Sequence, residues 1–209
     1  MKSKCQICNS DYTRAGMSKH IKSCLTRHFE AFDKKNAKRV FYLHVHATYN
    51  PEYFLHLLVK ENARLEDLDS FLRIIWLECC GHLSAFTYDS YGEEIDMKKT
   101  LAQIFTPGLA LSYIYDFGDS TELTIKNVEI YSGATAGNKK IQVVSRNIQP
   151  SVTCNECGKY PATVICAECQ YDGTGWLCAK CAKKHECDED MFLPVVNSPR
   201  AGVCAYIGD

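Results

Sequence analysis

Cysteine and histidine are the residues here whose type and spacing could do chemistry, and they gather at the two ends of the chain. Of 13 cysteines in 209 residues, three precede residue 25, two are adjacent at Cys79 and Cys80, and eight lie between Cys154 and Cys204. Near the amino terminus Cys5 and Cys8 form a Cys-x2-Cys knuckle, and His20 and Cys24 follow four residues apart. A tight turn can carry the first two thiolates, and positions i and i+4 of one helix face can present the other two ligands to a tetrahedral Zn²⁺. His28 competes with Cys24 for the fourth place, but His20 and Cys24 have the tighter helical register. Residues 1–30 are too few to bury a core of their own, so a metal must organise them.

The other end repeats the pattern three times, in Cys154-x2-Cys157, Cys166-x2-Cys169 and Cys178-x2-Cys181, followed by His185, Cys187 and Cys204. Two ions need eight ligands and nine candidates are present, so one of His185, Cys187 and Cys204 is spare. In a cross-braced arrangement the first and third knuckles share one ion, and the second pairs with two of the later ligands. In a sequential arrangement the first two knuckles share an ion. Interleaving ties a short chain into one unit and is the favoured reading, although spacing does not decide it. Either way the chain is expected to carry about three structural Zn²⁺ ions.

These ligand sets are saturated with thiolate, whereas a catalytic zinc keeps a position open for water. Glu156 and Glu168 sit inside knuckles, but no His-x-Glu precedes a Pro-Cys element, so a zinc deaminase is excluded. A nucleophile–base pair, a phosphate loop and an open metal site are all missing from the sequence, and the expectation is a protein that is not an enzyme and takes no small-molecule substrate.

No apolar run is long enough to span a bilayer, and the polar start has no signal-peptide core behind it. The reading is therefore cytoplasmic, with no membrane contact, and in a reducing compartment Cys-x-x-Cys pairs are metal ligands rather than disulfides. The net charge is −1, yet residues 1–39 hold ten Lys or Arg against three acids. A basic arm of this kind can meet phosphate, with Arg14, Lys19, Lys22 and Arg27 as the nucleic-acid contacts. It is equally what a solvated basic helix looks like. Aligned on His20, the helix positions that would face bases are Thr13, Gly16 and Lys19, and only Lys19 is an effective partner, so sequence-specific reading should be weak.

Between the cysteine clusters lies the scaffold that must position them. Residues 31–39 read as a basic linker, residues 40–148 as one α+β domain and residues 150–209 as the two-zinc module. From Val40 the pattern alternates, placing Phe41, Leu43, Val45 and Ala47 on one strand face and Tyr42, His44, His46 and Thr48 on the other. Tyr53–Val59 is the hairpin partner after Asn50-Pro51-Glu52. Leu65, Leu68, Leu72, Ile75 and Cys79 recur at helical spacing up to Gly81. Strands are expected around Ala85–Tyr88, Leu111–Tyr115, Glu122–Ile130 and, at an edge, Ile141–Val144, with a helical turn at Leu101–Phe105 and a flexible loop at Ser132–Asn138. This order predicts a mixed sheet with helices on one side, β-grasp-like, flanked by the two zinc modules. His44, His46, His56 and His82 read as ordinary polar-face or half-buried residues rather than a further metal site.

The segment Tyr115-Asp116-Phe117-Gly118-Asp119-Ser120 contains Asp-Phe-Gly, but no glycine-rich loop, strand lysine or His-Arg-Asp accompanies it, so a kinase is excluded. It reads as a turn whose acidic pair is available to a cation or a basic partner. Together with the Leu43–Val59 hairpin, Leu65-Glu66-Asp67-Leu68 through Trp76, and His82-Leu83-Ser84-Ala85-Phe86, this segment resembles the plasmid pRiA open-reading-frame-three-like family, also called passenger TnpR-like proteins of insertion elements. The resemblance covers roughly residues 40–148. It implies a link to mobile DNA and no assigned activity; the arginine cluster of a serine recombinase is absent, and so is the Cys- and Pro-rich segment that members often carry near their end. The sequence thus supports a non-enzymatic zinc-binding adaptor with a protein partner, or alternatively a nucleic-acid-binding protein working through its basic finger.

Overall fold

The computed structural model describes residues 2–31, 37–90, 92–135 and 138–208. Two short strands, β1 (Lys2–Lys4) and β2 (Asp11–Thr13), pair across the first knuckle and lead into helix α1 (Arg14–Glu30). The Thr13 hydroxyl caps that helix by accepting from the Gly16 N–H at 3.3 Å.

Six strands form the central sheet: β3 (Lys38–Ala47), β4 (Phe54–Lys60), β5 (Ser84–Thr87), β6 (Ala110–Tyr115), β7 (Thr121–Gly133) and β8 (Ile141–Arg146). Their order is β5-β6-β7-β3-β4-β8. Every described pair in it is antiparallel, so the expected mixed sheet is corrected. The α+β class holds: β3–β4 and β6–β7 return as antiparallel neighbours, while residues 61–83 carry the chain from β4 across the sheet to the edge strand β5. Lys38 and Arg39, expected in the linker, already belong to β3, while residues 32–36 of that linker and Ala136 and Gly137 of the predicted loop fall outside the described residues.

One face of the sheet carries Phe41, Leu43, Val45, Leu55, Leu57, Tyr113, Leu123 and Ile125 against helix α2 (Leu65–Leu72) and the single turn α3 (Leu101–Ile104). Leu65, Leu68, Leu72 and Trp76 are all buried there. The helix expected to run to Gly81 stops earlier: after Leu72 it widens into a π turn over Arg73–Leu77. That extra residue per turn buries Trp76 and Leu77 together. The Arg73 guanidinium fastens the end to the Asp69 and Glu78 carboxylates, both at 2.8 Å, and to the His82 carbonyl at 2.7 Å.

The opposite face is covered by the amino-terminal finger. Met17, Ile21, Leu25 and Phe29 recur every four residues along α1 and pack on Val40, Tyr42, Leu58, Tyr131 and Val144. Each such apolar side chain contributes about 1.5–3 kcal/mol when fully buried. Burial on both faces explains why Phe54-Leu55-His56-Leu57-Leu58-Val59 is almost continuously buried instead of alternating. Gly133 leaves room for the Phe29 ring, which a Cβ there would overlap and which stacks on Tyr131 at 4.8 Å between centroids.

The carboxy-terminal segment adds a three-stranded sheet ordered β10-β9-β11 from β9 (Val164–Cys166), β10 (Trp176–Leu177) and β11 (Phe192–Pro194), with one helical turn, α4 (Ala179–Ala182). Beyond β11 the chain returns to the central domain. Arg146 Nη2 donates to the Asn197 carbonyl at 2.7 Å, Asn147 Nδ2 to Asn197 Oδ1 at 2.6 Å, and Asn197 Nδ2 to the Asn147 carbonyl at 3.0 Å.

Candidate metal centres

Among the described residues, four groups of cysteine and histidine can hold a metal ion, and in each group the ligand atoms all lie within 4.8 Å of one another. All described cysteines are free thiols. The first group is Cys5, Cys8, His20 and Cys24, with Cys8 Sγ 3.2 Å from His20 Nε2. Asn9 takes a left-handed φ of 61° and donates to the Cys5 carbonyl at 2.8 Å, closing the knuckle that points both thiols at α1. Tyr12 stacks on the His20 ring at 3.9 Å and fixes its orientation. His28 lies outside the group, against Phe29.

The tail groups interleave. Cys154 and Cys157 meet Cys178 and Cys181, while Cys166 and Cys169 meet His185 and Cys187. The strands explain this pairing: β9 ends at Cys166 and pairs with β10, which delivers Cys178 one residue beyond Leu177 and opposite the first knuckle. The edges measured are 3.9 Å for Cys157–Cys178, 3.6 Å for Cys169–Cys187 and 3.4 Å for Cys169 Sγ to His185 Nε2. A tetrahedron with metal–sulfur bonds of about 2.3 Å has edges of about 3.8 Å, slightly shorter to nitrogen. The donor spacing fits such an ion.

Electrostatics point the same way. Burial works to raise Cys154, yet the N–H groups of Cys157 and Cys178 outweigh it and bring the thiol down to about 6. Burial, followed by hydrogen bonds from Cys178 and Cys154, pushes Cys181 of the same group up to about 12. In the finger, burial and then the Cys5 and Cys8 thiolates push Cys24 up to about 12. One thiolate in each group forms readily and a further one is resisted, a conflict that a bound divalent cation removes.

Cys204, one of three candidates for the last tail ligands, is not beside Cys166 and Cys169. It stands with Cys79, Cys80 and His82 at the edge of the central domain, in a group that sequence reasoning missed. His82, expected to be an ordinary polar-face or half-buried residue, is instead one of its four donors. Cys79 and Cys80 were the available signal, since they are the only cysteines in the central domain, but nothing local pairs them with a residue more than 120 positions away.

The Asp116–Ser120 turn also has an internal purpose. Asp116 has a left-handed φ of 67°, and its Oδ1 accepts from the Gly118 N–H at 3.0 Å. Its Oδ2 accepts from Arg200 Nη2 of the tail at 2.6 Å. Arg200 is completely buried; Nη1 reaches the Asp119 carbonyl at 2.9 Å and Thr121 Oγ1 at 3.1 Å, and the guanidinium lies 4.8 Å from the Tyr115 ring centre. The basic partner expected for the acidic turn is thus found within this chain.

Of the basic residues expected at a nucleic-acid surface, Arg14, Lys19, Lys22 and Arg27 are all exposed on α1, and Lys22 pairs with Glu129 at 3.2 Å. His44, His46 and His56 stack on the finger side of the sheet, with centroids 5.2 Å apart for His44–His46 and 4.7 Å for His44–His56. Among the described residues, no helix is long and apolar enough to cross a membrane.

No known protein family matches the sequence, and no curated protein matches it. Among solved structures, the crystal structure of a protein of unknown function, MM3350 from Methanosarcina mazei Go1, is similar over 52% of this chain and 69% of that one, at 21% identity and a TM-score of 0.44.

Proposed function

We propose that this chain is a non-enzymatic, zinc-binding interaction protein, in which the finger and the cross-braced tail are folded by Zn²⁺ and displayed on a rigid antiparallel sheet to a protein partner. One observation carries the reading: each group supplies four thiolate or imidazole donors at tetrahedral spacing, which leaves no coordination position for a substrate or a reactive water. Thiolate-rich sets of this geometry favour Zn²⁺ over Mg²⁺ or Ca²⁺, which take oxygen ligands. Cobalt substitution tests the claim. The visible spectrum of the Co²⁺ protein should be tetrahedral and unchanged by azide or cyanide; a shift on adding either anion would reveal an open position and overturn the non-enzymatic assignment.

A second reading, nucleic-acid binding by the finger, is favoured by the outward basic residues of α1. Weighing against sequence-specific reading, the Thr13 hydroxyl is occupied by the Gly16 N–H, and Gly16 is half-buried. Retention of duplex, single-stranded DNA and RNA on filters at two salt concentrations separates the readings. Binding that falls steeply with salt and is lost in Lys19→Glu/Arg27→Glu supports the second, whereas no retention at low salt removes it.

A further inference from the structure

The group formed by Cys79, Cys80, His82 and Cys204 joins two parts of the chain that the cysteine spacing treats as separate. Cys80 Sγ lies 3.4 Å from Cys204 Sγ, 3.7 Å from Cys79 Sγ and 2.9 Å from His82 Nε2, and His82 Nε2 lies 3.2 Å from Cys204 Sγ. These are edges of the same small tetrahedron seen in the other three groups.

The backbone on both sides is shaped to produce it. On the sheet side, Gly81 takes a left-handed φ of 78° and its N–H donates to Glu78 Oε1 at 2.6 Å, so the chain folds back and Cys80 and His82 meet. On the tail side, successive turns run from Ser198 to Tyr206, with N–H groups of Ala201, Val203 and Tyr206 donating to carbonyls three residues earlier. Cys204 and Ala205 both sit at left-handed φ, 48° and 52°, although neither is glycine. Such residues cost on the order of 1 kcal/mol each and persist where the surroundings hold them. Here the outcome is a thiol aimed at Cys80.

The surroundings also suit the charge. Three thiolates and one dication leave a net negative charge, and Arg200 Nε stands 3.4 Å from Cys79 Sγ, with Arg73 and Arg200 both over the Tyr115 ring beside it. Asp116, whose Oδ2 is 3.4 Å from His82 Nε2, is already held by Arg200, so its carboxylate does not depend on the imidazole proton.

We infer that Cys79, Cys80, His82 and Cys204 form a fourth tetrahedral Zn²⁺ site, which clasps the end of the tail to the central domain and holds Arg200 in the Asp116 turn. No ligand of this group is buried, whereas each of the other groups has at least one that is, so this ion is the most open to solvent. The site rests on the same thiolate–zinc chemistry as the proposed function but on different residues.

The test is a count of bound zinc by native mass spectrometry on the full chain under reducing conditions, combined with mapping of which cysteines react with iodoacetamide in the folded protein. Four ions, with Cys79, Cys80 and Cys204 protected, are expected for the parent, and three ions for Cys80→Ser/Cys204→Ser. If that variant does not fold, protection of the same three thiols in the parent decides. Three ions in the parent, with those thiols reacting as fast as in denatured protein, would overturn the fourth site and leave the other three standing. Fewer than three ions, with finger or cross-brace thiols reactive, would count against this site and the proposed function together.

Discussion

Replacing Arg200 by methionine should detach the end of the tail from the sheet while leaving the length of the side chain nearly unchanged. In the folded chain the Arg200 side chain is fully buried and the Asp116 side chain is 8% exposed, with the two charges 2.6 Å apart. Burial works to raise Asp116, but the Arg200 guanidinium and the Gly118 N–H hold its carboxyl below the usual range. Removing the guanidinium leaves this carboxylate without its charge partner, and the carbonyl of Asp119 and the hydroxyl of Thr121 each lose a donor. Breaking one side of a buried, hydrogen-bonded pair costs about 3–5 kcal/mol. Because the pair sits near a surface, the lower end, about 3 kcal/mol, is expected for Arg200→Met. The assay is calorimetric unfolding of the zinc-loaded parent, Arg200→Met, Asp116→Asn and the double variant. With the pair already broken, the second substitution adds little, so the double variant should be no less stable than the worse single one, a coupling of about 2 kcal/mol or more. Additive effects, or single losses under about 0.5 kcal/mol, would refute the claim that the acidic turn exists to hold this arginine.

Three further outcomes follow from the packing. Gly133→Ala places a methyl group on the Phe29 ring and should lower stability by about 1–3 kcal/mol, with partial recovery in Gly133→Ala/Phe29→Leu read by thermal melting. Chelating the finger's zinc should uncover the second face of the sheet, so amide exchange in β3, β4 and β8 rises while α2 stays protected; equal protection with and without metal would show that the finger packs without it. Burial, then the neighbouring His46, Arg14 and Lys126 charges, lowers His44 to about 4, and burial with His44 lowers His56 to about 3. Folding thus favours the neutral rings; the unfolded chain binds more protons below about pH 6.5, and stability is full above that value and lost as pH falls towards about 4. His44→Phe should flatten this slope, measured as denaturation midpoint against pH with zinc retention followed in parallel, and an unchanged slope would assign acid sensitivity to metal loss instead.

The ligand chemistry was legible because a thiolate site is written locally. Two cysteines three positions apart make a knuckle, His20 and Cys24 lie one helical turn apart, and these short-range geometries survive in any fold that contains them. The antiparallel hairpin β3–β4 and the apolar stripe Leu65-Leu68-Leu72 were equally local, set by side-chain periods of 2 and 3.6. What the tertiary structure decided was everything that depends on which surface meets which. The finger seals the second face of the sheet, a pairing hinted at only by Leu58 and Phe54 filling positions that an exposed face would leave polar. All-antiparallel pairing replaced a mixed sheet because strand direction is fixed by how connections close, which strand patterns alone do not encode. Cys204 left the tail for Cys79, Cys80 and His82, and Asp116 found its cation in Arg200, because contacts across some 80 to 125 residues depend on the path of the backbone between them, and no spacing rule records that path.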